Sequence, residues 1–240
     1  MADAVTSQTL LDTEKKAIFK FTNISDGSGE ANVKKIDVST LTWAKHTITL
    51  SGAASPNFKI GEVLTVGAEK YLVTGFTAGA STVEVVGWDN TNKKATAIDA
   101  SSSSSDAVSG GVSGSNTRTY SSIAEQDYEL LVTKIMWATI GCQVGIEWDG
   151  SGAEKYIGEF GGNGVWNMSQ NELPGIPINA TGDSGNVLGD IQFSTADQGG
   201  TDSYTIIMEC KKQAPGYDIP QYEQNAVLGY PVDFKLGNFT

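Results

Sequence analysis

An all-β fold is what this sequence predicts. Three observations carry the prediction: apolar and polar residues alternate with period two, short runs end in Gly, Asn, Asp or Ser clusters, and helical periodicity is weak throughout. In 17–24, AIFKFTNI, Ala17, Phe19 and Phe21 share one face against Ile18, Lys20 and Thr22. In 142–149, CQVGIEWD, Cys142, Val144, Ile146 and Trp148 line up in the same way. The 28 glycines against 6 prolines suit a chain that turns often, and 240 residues suffice for a substantial core.

Taken in order, residues 7–16, SQTLLDTEKK, are the one place where a turn of helix is expected. Strand 17–24 follows, then SDGSGEANV (25–33), whose Asp-Gly and Ser-Gly pairs tolerate positive φ and are read as a hairpin turn into strand 33–39. Residues 43–99 hold short runs at 46–50, 62–66, 70–76 and 82–88 with tight turns, the pattern of an inserted five-stranded barrel of SH3 or OB size. Residues 100–118, rich in Ser and Gly, have nothing to bury and read as a linker. From 119 to 213 the strands lengthen (127–139, 142–149, 154–160, 187–194, 203–211) and carry Trp137, Trp148 and Trp166. Segments 1–42 and 119–213 are therefore expected to form one β-sandwich, jelly-roll-like, with the small β-barrel projecting from it.

The last 27 residues, 214–240, differ in character. They hold Pro215, Pro220 and Pro231, half of all the prolines, and five aromatics (Tyr217, Tyr222, Tyr230, Phe234, Phe239) without strand or helix period. Prolines keep such an arm extended, and aromatics offer large apolar area at little entropic cost. These five are the expected partner-binding residues, docking along a neighbour or packing back on their own sandwich.

Charge narrows the partners. A net charge of −12 and a pI near 4.4, with no cluster of more than two Lys/Arg, exclude a phosphate-neutralising surface and so nucleic acid as a direct partner. The longest apolar runs fall far short of the ~20 residues of a membrane span, and the N-terminus lacks a signal peptide's basic start and apolar stretch, so a soluble chain made in the cytoplasm is expected, with no membrane partner. Cys142 and Cys210 sit inside strand-like runs without a C-x-x-C pair, and read as buried free thiols rather than a disulfide.

Reactive groups are sparse, and no enzyme, cofactor or metal site is expected. His46, the only histidine, begins a strand with no adjacent acid or Cys and reads as a surface or packing residue. The acid pairs Asp127 with Glu129 and Glu147 with Asp149 have the chemistry of a glycosidase, but i, i+2 acids on a strand read as a solvated face. In WDGSGAEKY (148–156), Asp149, Ser151 and Glu154 suggest a calcium loop; six residues between two strand-like runs fit a hairpin turn better than a loop of ~12 residues between helices. Trp43, Trp88 and Trp166 would stack on sugars if exposed, and would be core otherwise.

Three blocks carry a resemblance: MADAVTSQTLLDTEKKAIFKFTNISDGSGEANVKKIDVSTLT (1–42), TKIMWATIGCQVGIEWDG (133–150) and GDIQFSTADQGGTDSYTIIMECKK (189–212). Together they resemble small virion structural proteins of tailed bacteriophages of marine bacteria and cyanobacteria. The matching patterns specify fold rather than catalysis, and this chain departs from them at 43–118 and after 213. The resemblance implies a virion component. The expectation is a non-enzymatic capsid decoration or cement protein in the virion, with the phage major capsid protein and copies of itself, a homotrimer by preference, as partners. A neck, tail or receptor- and glycan-binding virion protein is the alternative.

Overall fold

The computed structural model describes residues 4–54, 58–77, 79–98, 107–109, 118–125, 129–149, 155–168, 189–196 and 199–213. They form an all-β chain of two curled sheets, one of them a nearly closed barrel. The strands are β1 (Thr6–Asp12), β2 (Lys16–Asp26), β3 (Val33–Ile36), β4 (His46–Ala54), β5 (Val63–Val66), β6 (Glu69–Phe76), β7 (Ala80–Asp89), β8 (Lys94–Thr96), β9 (Val108–Ser109), β10 (Tyr120–Glu125), β11 (Glu129–Trp148), β12 (Lys155–Asn167), β13 (Ile191–Ala196) and β14 (Gly200–Gln213).

The first sheet runs β1-β2-β14-β11-β13-β3, with β12 on β11. Its key element is β11, which turns a corner. Residues 129–140 of β11 pair with β14, whereas 143–148 pair with β13. Between these halves the β11–β12 register jumps from Ala138↔Asn163 to Gln143↔Gly161, and the corner is made by Gly141 (φ 76°) and Gly162 (φ 68°), a backbone region that glycine enters without penalty. The bend creates two layers, one of β1, β2, β14 and the first half of β11, the other of β3, β13 and its second half. Side chains meet between them: the rings of Phe21 on β2 and Phe193 on β13, strands that share no ladder, lie 5.0 Å apart edge to face. Ile135, Val144, Ile146, Trp148, Ile206 and Met208 complete this buried core, and each such side chain contributes about 1.5–3 kcal/mol by leaving water.

The second sheet runs β10-β4-β7-β6-β5-β9, with β8 on β7. An isolated bridge, Ala107↔Thr119, and the bond from Val108 N–H to Arg118 O (3.1 Å) bring the β9 end back to the start of β10, so the sheet all but closes. Ile48, Leu64, Val66, Tyr71, Val83, Val108 and Tyr120 fill it.

Three expectations are corrected. The barrel does not stop at residue 99: β9 arises within the expected linker and β10 within the segment assigned to the sandwich, because Val108 and Tyr120 point into the barrel core. A register shift between Tyr120 and Ser122 breaks the period-two signal that would have marked β10. Residues 7–12 are a strand, not a helical turn; the chain pairs with β2 and reverses at Thr13, whose N–H donates to Lys16 O (2.9 Å). Finally, SDGSGE is no hairpin. β2 pairs with β1 and β14 while β3 pairs with β13, so residues 27–32 cross from one layer to the other. Ser25 Oγ accepts from Gly27 N–H (2.9 Å), Asp26 from Ser28 N–H (3.0 Å) and Thr195 Oγ1 from Glu30 N–H (2.7 Å), which shapes the crossover. WDGSGAEKY does join antiparallel β11 to β12, with Trp148 opposite Lys155; Ser151 and Glu154 lie outside the described residues.

Candidate interaction surface

The residues singled out for chemistry are dispersed. His46 is buried at the start of β4 with Nδ1 3.4 Å from Ala44 O, and burial lowers its pKa from the ordinary 6.5, outweighing that carbonyl. The unfolded chain then binds the proton more readily than the folded one. Stability contributed by His46 is therefore complete above pH 6.5 and falls as pH drops through the lowered folded-state pKa. Thermal melting followed between about pH 7 and 5 should show a decline that His46→Gln flattens; an unchanged slope in the variant would contradict the assignment.

Glu147 corrects another expectation. It is buried, since both faces of β11 are covered from Val144 to Trp148, and Asp149 is half-buried, so this pair is no solvated face. Asp127 and the side chain of Glu129 lie outside the described residues. Cys142 and Cys210 are free and buried, and burial pushes both thiols up, Cys210 far up, away from nucleophilic character. Trp43 and Trp88 are half-buried; Trp166, 37% exposed, leans on Phe160 with ring centroids 6.0 Å apart. Among the described residues no group of three or more His, Cys, Asp or Glu is placed to hold a metal ion. Tyr217, Tyr222, Tyr230, Phe234 and Phe239 lie outside the described residues.

What the structure does assemble is a surface. In the layer β1-β2-β14-β11-β12, directly paired residues form rows on the solvent side. One row runs Ile24, Ser203, Ile140; the next Thr6, Thr22, Thr205, Ala138, Asn163; the third Gln8, Lys20, Ile207, Met136, Val165. Ile140 is 70% exposed, Val165 61% and Ile24 53%. Lys20 is the only charged side chain in these rows, on a chain of net charge −12. Two adjoining grooves mark the face: one of about 500 Å³ is lined by Thr22, Ile24, Ala138, Ile140 and Thr205, the other of about 340 Å³ by Met136, Ala138, Val165, Thr205 and Ile207. The next row is charged but neutralised locally, with Glu209 beside Lys16 (2.6 Å) and Lys134 (3.6 Å); the Lys16 ammonium holds the Glu209 carboxyl below its usual range.

Two buried polar networks hold this layer in place. Glu30, on the crossover, accepts from Lys35 Nζ (2.6 Å) on β3 and from the Tyr204 hydroxyl (2.7 Å) on β14, with the Lys35–Glu30 pair almost wholly removed from water. It ties the two layers together. Lys212, fully buried on β14, donates to Asp12, to Thr42 O (2.6 Å) and toward Thr42 Oγ1 (3.3 Å), while Thr42 N–H and hydroxyl donate to Asp12 (2.9 and 3.0 Å). Burial pulls the Lys212 pKa down and the Asp12 carboxylate opposes it. That network joins the end of β1, the passage from sandwich to barrel, and the last residues of β14.

Against known proteins, no protein-family model matches this chain, and no curated protein matches it either.

Proposed function

We propose that this chain is a non-enzymatic structural protein of a bacteriophage particle, a decoration or cement protein that binds the major capsid protein and stabilises the shell. The observation that carries the reading is the broad, β-branched and methionine-bearing face, with Lys20 as the one charge in its rows, on a strongly acidic protein. Exposed apolar patches of this kind mark protein interaction sites. On a chain of net charge −12, a second protein docking on this face desolvates few charges. The three blocks that resemble virion proteins supply β1, β2, β3, β13, nearly all of β14 and β11 from Thr133 onward, which is the first sheet apart from β12 and the start of β11. Many modest contacts repeated around a shell give large collective stability without any reactive site.

The test is addition of the purified chain to particles assembled without it. Saturable co-sedimentation and a raised temperature of shell disassembly are expected, both lost on Ile140→Lys with the protein's own melting unchanged. Absence of binding to any particle fraction rejects the reading; binding confined to purified tails moves the protein from the shell to the tail.

A further inference from the structure

We propose that the sandwich closes an internal covalent bond, an isopeptide between the Lys35 amine and the Asn23 carboxamide, with Glu30 as the proton carrier. Asn23 is 0% exposed on the inner face of β2, and neither its Oδ1 nor its Nδ2 has a hydrogen-bond partner. A buried carboxamide with both ends unpaired is costly and calls for an explanation. Its surroundings supply one. Tyr204 lies directly opposite Asn23 across the β2–β14 ladder, and its hydroxyl donates to Glu30 Oε2 (2.7 Å), while Lys35 Nζ donates to Glu30 Oε1 (2.6 Å). The Phe193 ring gathers the same groups. It lies 5.0 Å from the ring of Phe21, the inner residue before Asn23 on β2, 6.1 Å from that of Tyr204, and 5.9 Å from Lys35 Nζ. With the Lys35 and Glu30 side chains only 2% and 6% exposed, the fold brings an amine, a carboxylate and a carboxamide to one end of the core, from β3, the crossover and β2.

These three groups are the reactants of an amide exchange. Glu30 takes a proton from the Lys35 ammonium, and the neutral amine attacks Asn23 Cγ, which forms a C–N bond and a tetrahedral oxyanion. A proton passes from the new nitrogen to Nδ2, the Cγ–Nδ2 bond breaks, and ammonia leaves with the proton that Glu30 held, as ammonium. Nothing is oxidised or reduced, and no co-reactant enters the balance. Packing favours each step, because the groups are held close and competing water is kept out. The bond joins β2 to β3, the strands between which the chain crosses from one layer to the other. It therefore fastens the two layers as other cross-links do, chiefly by restricting the unfolded chain. The inference stands independently of the role in a particle.

Mass spectrometry of the purified full chain, denatured and then digested with trypsin, tests the bond. The intact chain is expected to be lighter than its sequence by one ammonia. Trypsin should yield peptide 21–34 joined to peptide 35–45, since an acylated Lys35 is no longer cut. Asn23→Ala and Lys35→Arg should restore the full mass, and Glu30→Gln, which keeps the size but carries no proton, should leave most of the chain unjoined. Should these variants fail to fold, the wild-type digest decides alone: the joined peptide supports the bond. A wild-type chain of full mass, an ammonia loss without the joined peptide, a loss that survives Lys35→Arg, or complete joining in Glu30→Gln overturns the proposal.

Discussion

Replacing Lys212 by methionine is expected to cost the sandwich about 3–5 kcal/mol, the range found when one partner of a buried ion pair is removed and the other left uncompensated. Methionine fills much of the same volume, so the loss is electrostatic rather than a cavity. Lys212 is 0% exposed, and its ammonium is shared between the Asp12 carboxylate and both oxygens of Thr42. Without it Asp12 retains the Thr42 N–H and hydroxyl, but the charge has no counter-ion. Three distant segments, at residues 12, 42 and 212, loosen together. The urea midpoint of the sandwich should fall accordingly, and Asp12→Leu added to Lys212→Met should recover most of the loss, since removing both charges removes the uncompensated one. A loss below about 1 kcal/mol for the single variant would place the pair among solvent-screened contacts.

A chain stopped after Gln213 is expected to stay folded and to lose particle binding. Among the described residues both buried cores are built from residues up to Cys210, and the Lys212 network lies inside the retained part. What is removed are the five aromatics and three prolines of 214–240. If extended, a segment of that length would reach on the order of 80 Å at ~3.1 Å per residue, enough to cross onto an adjoining subunit. If two of its aromatics act as interface anchors at about 2 kcal/mol each, their loss weakens binding by about three orders of magnitude. Co-sedimentation with particles reads the binding, and circular dichroism and melting read the fold. A truncated chain that unfolds assigns the arm to its own core; one that still binds at full occupancy makes the arm dispensable.

The all-β class was legible because inner positions in β2 and β11 alternate strictly: Ala17, Phe19, Phe21 and Val144, Ile146, Trp148 are all buried. Long-range arrangement was not. Gly141 reads as a break between two strands, whereas it is the corner at which one strand passes between two layers. The 25–33 turn has hairpin chemistry, yet the partner that captures it, Thr195, stands 165 residues away from Glu30. Local spacing carries no sign that Lys212 and Glu30 are buried, because their partners come from other parts of the chain. The nearly uncharged face escaped notice for a different reason. Its outer positions, Thr22, Ile24, Ala138, Ile140, Thr205 and Ile207, are small, hydroxyl or β-branched, which blurs the apolar–polar contrast by which strands are read and becomes a surface only once the register aligns them.

A map of the intact phage particle at side-chain resolution tests the central claim most directly. The account predicts the sandwich on the outside of the shell, with Ile140, Val165 and Ile207 buried against a capsid subunit. A particle that lacks the chain, or one that carries it with this face turned to solvent, would contradict it.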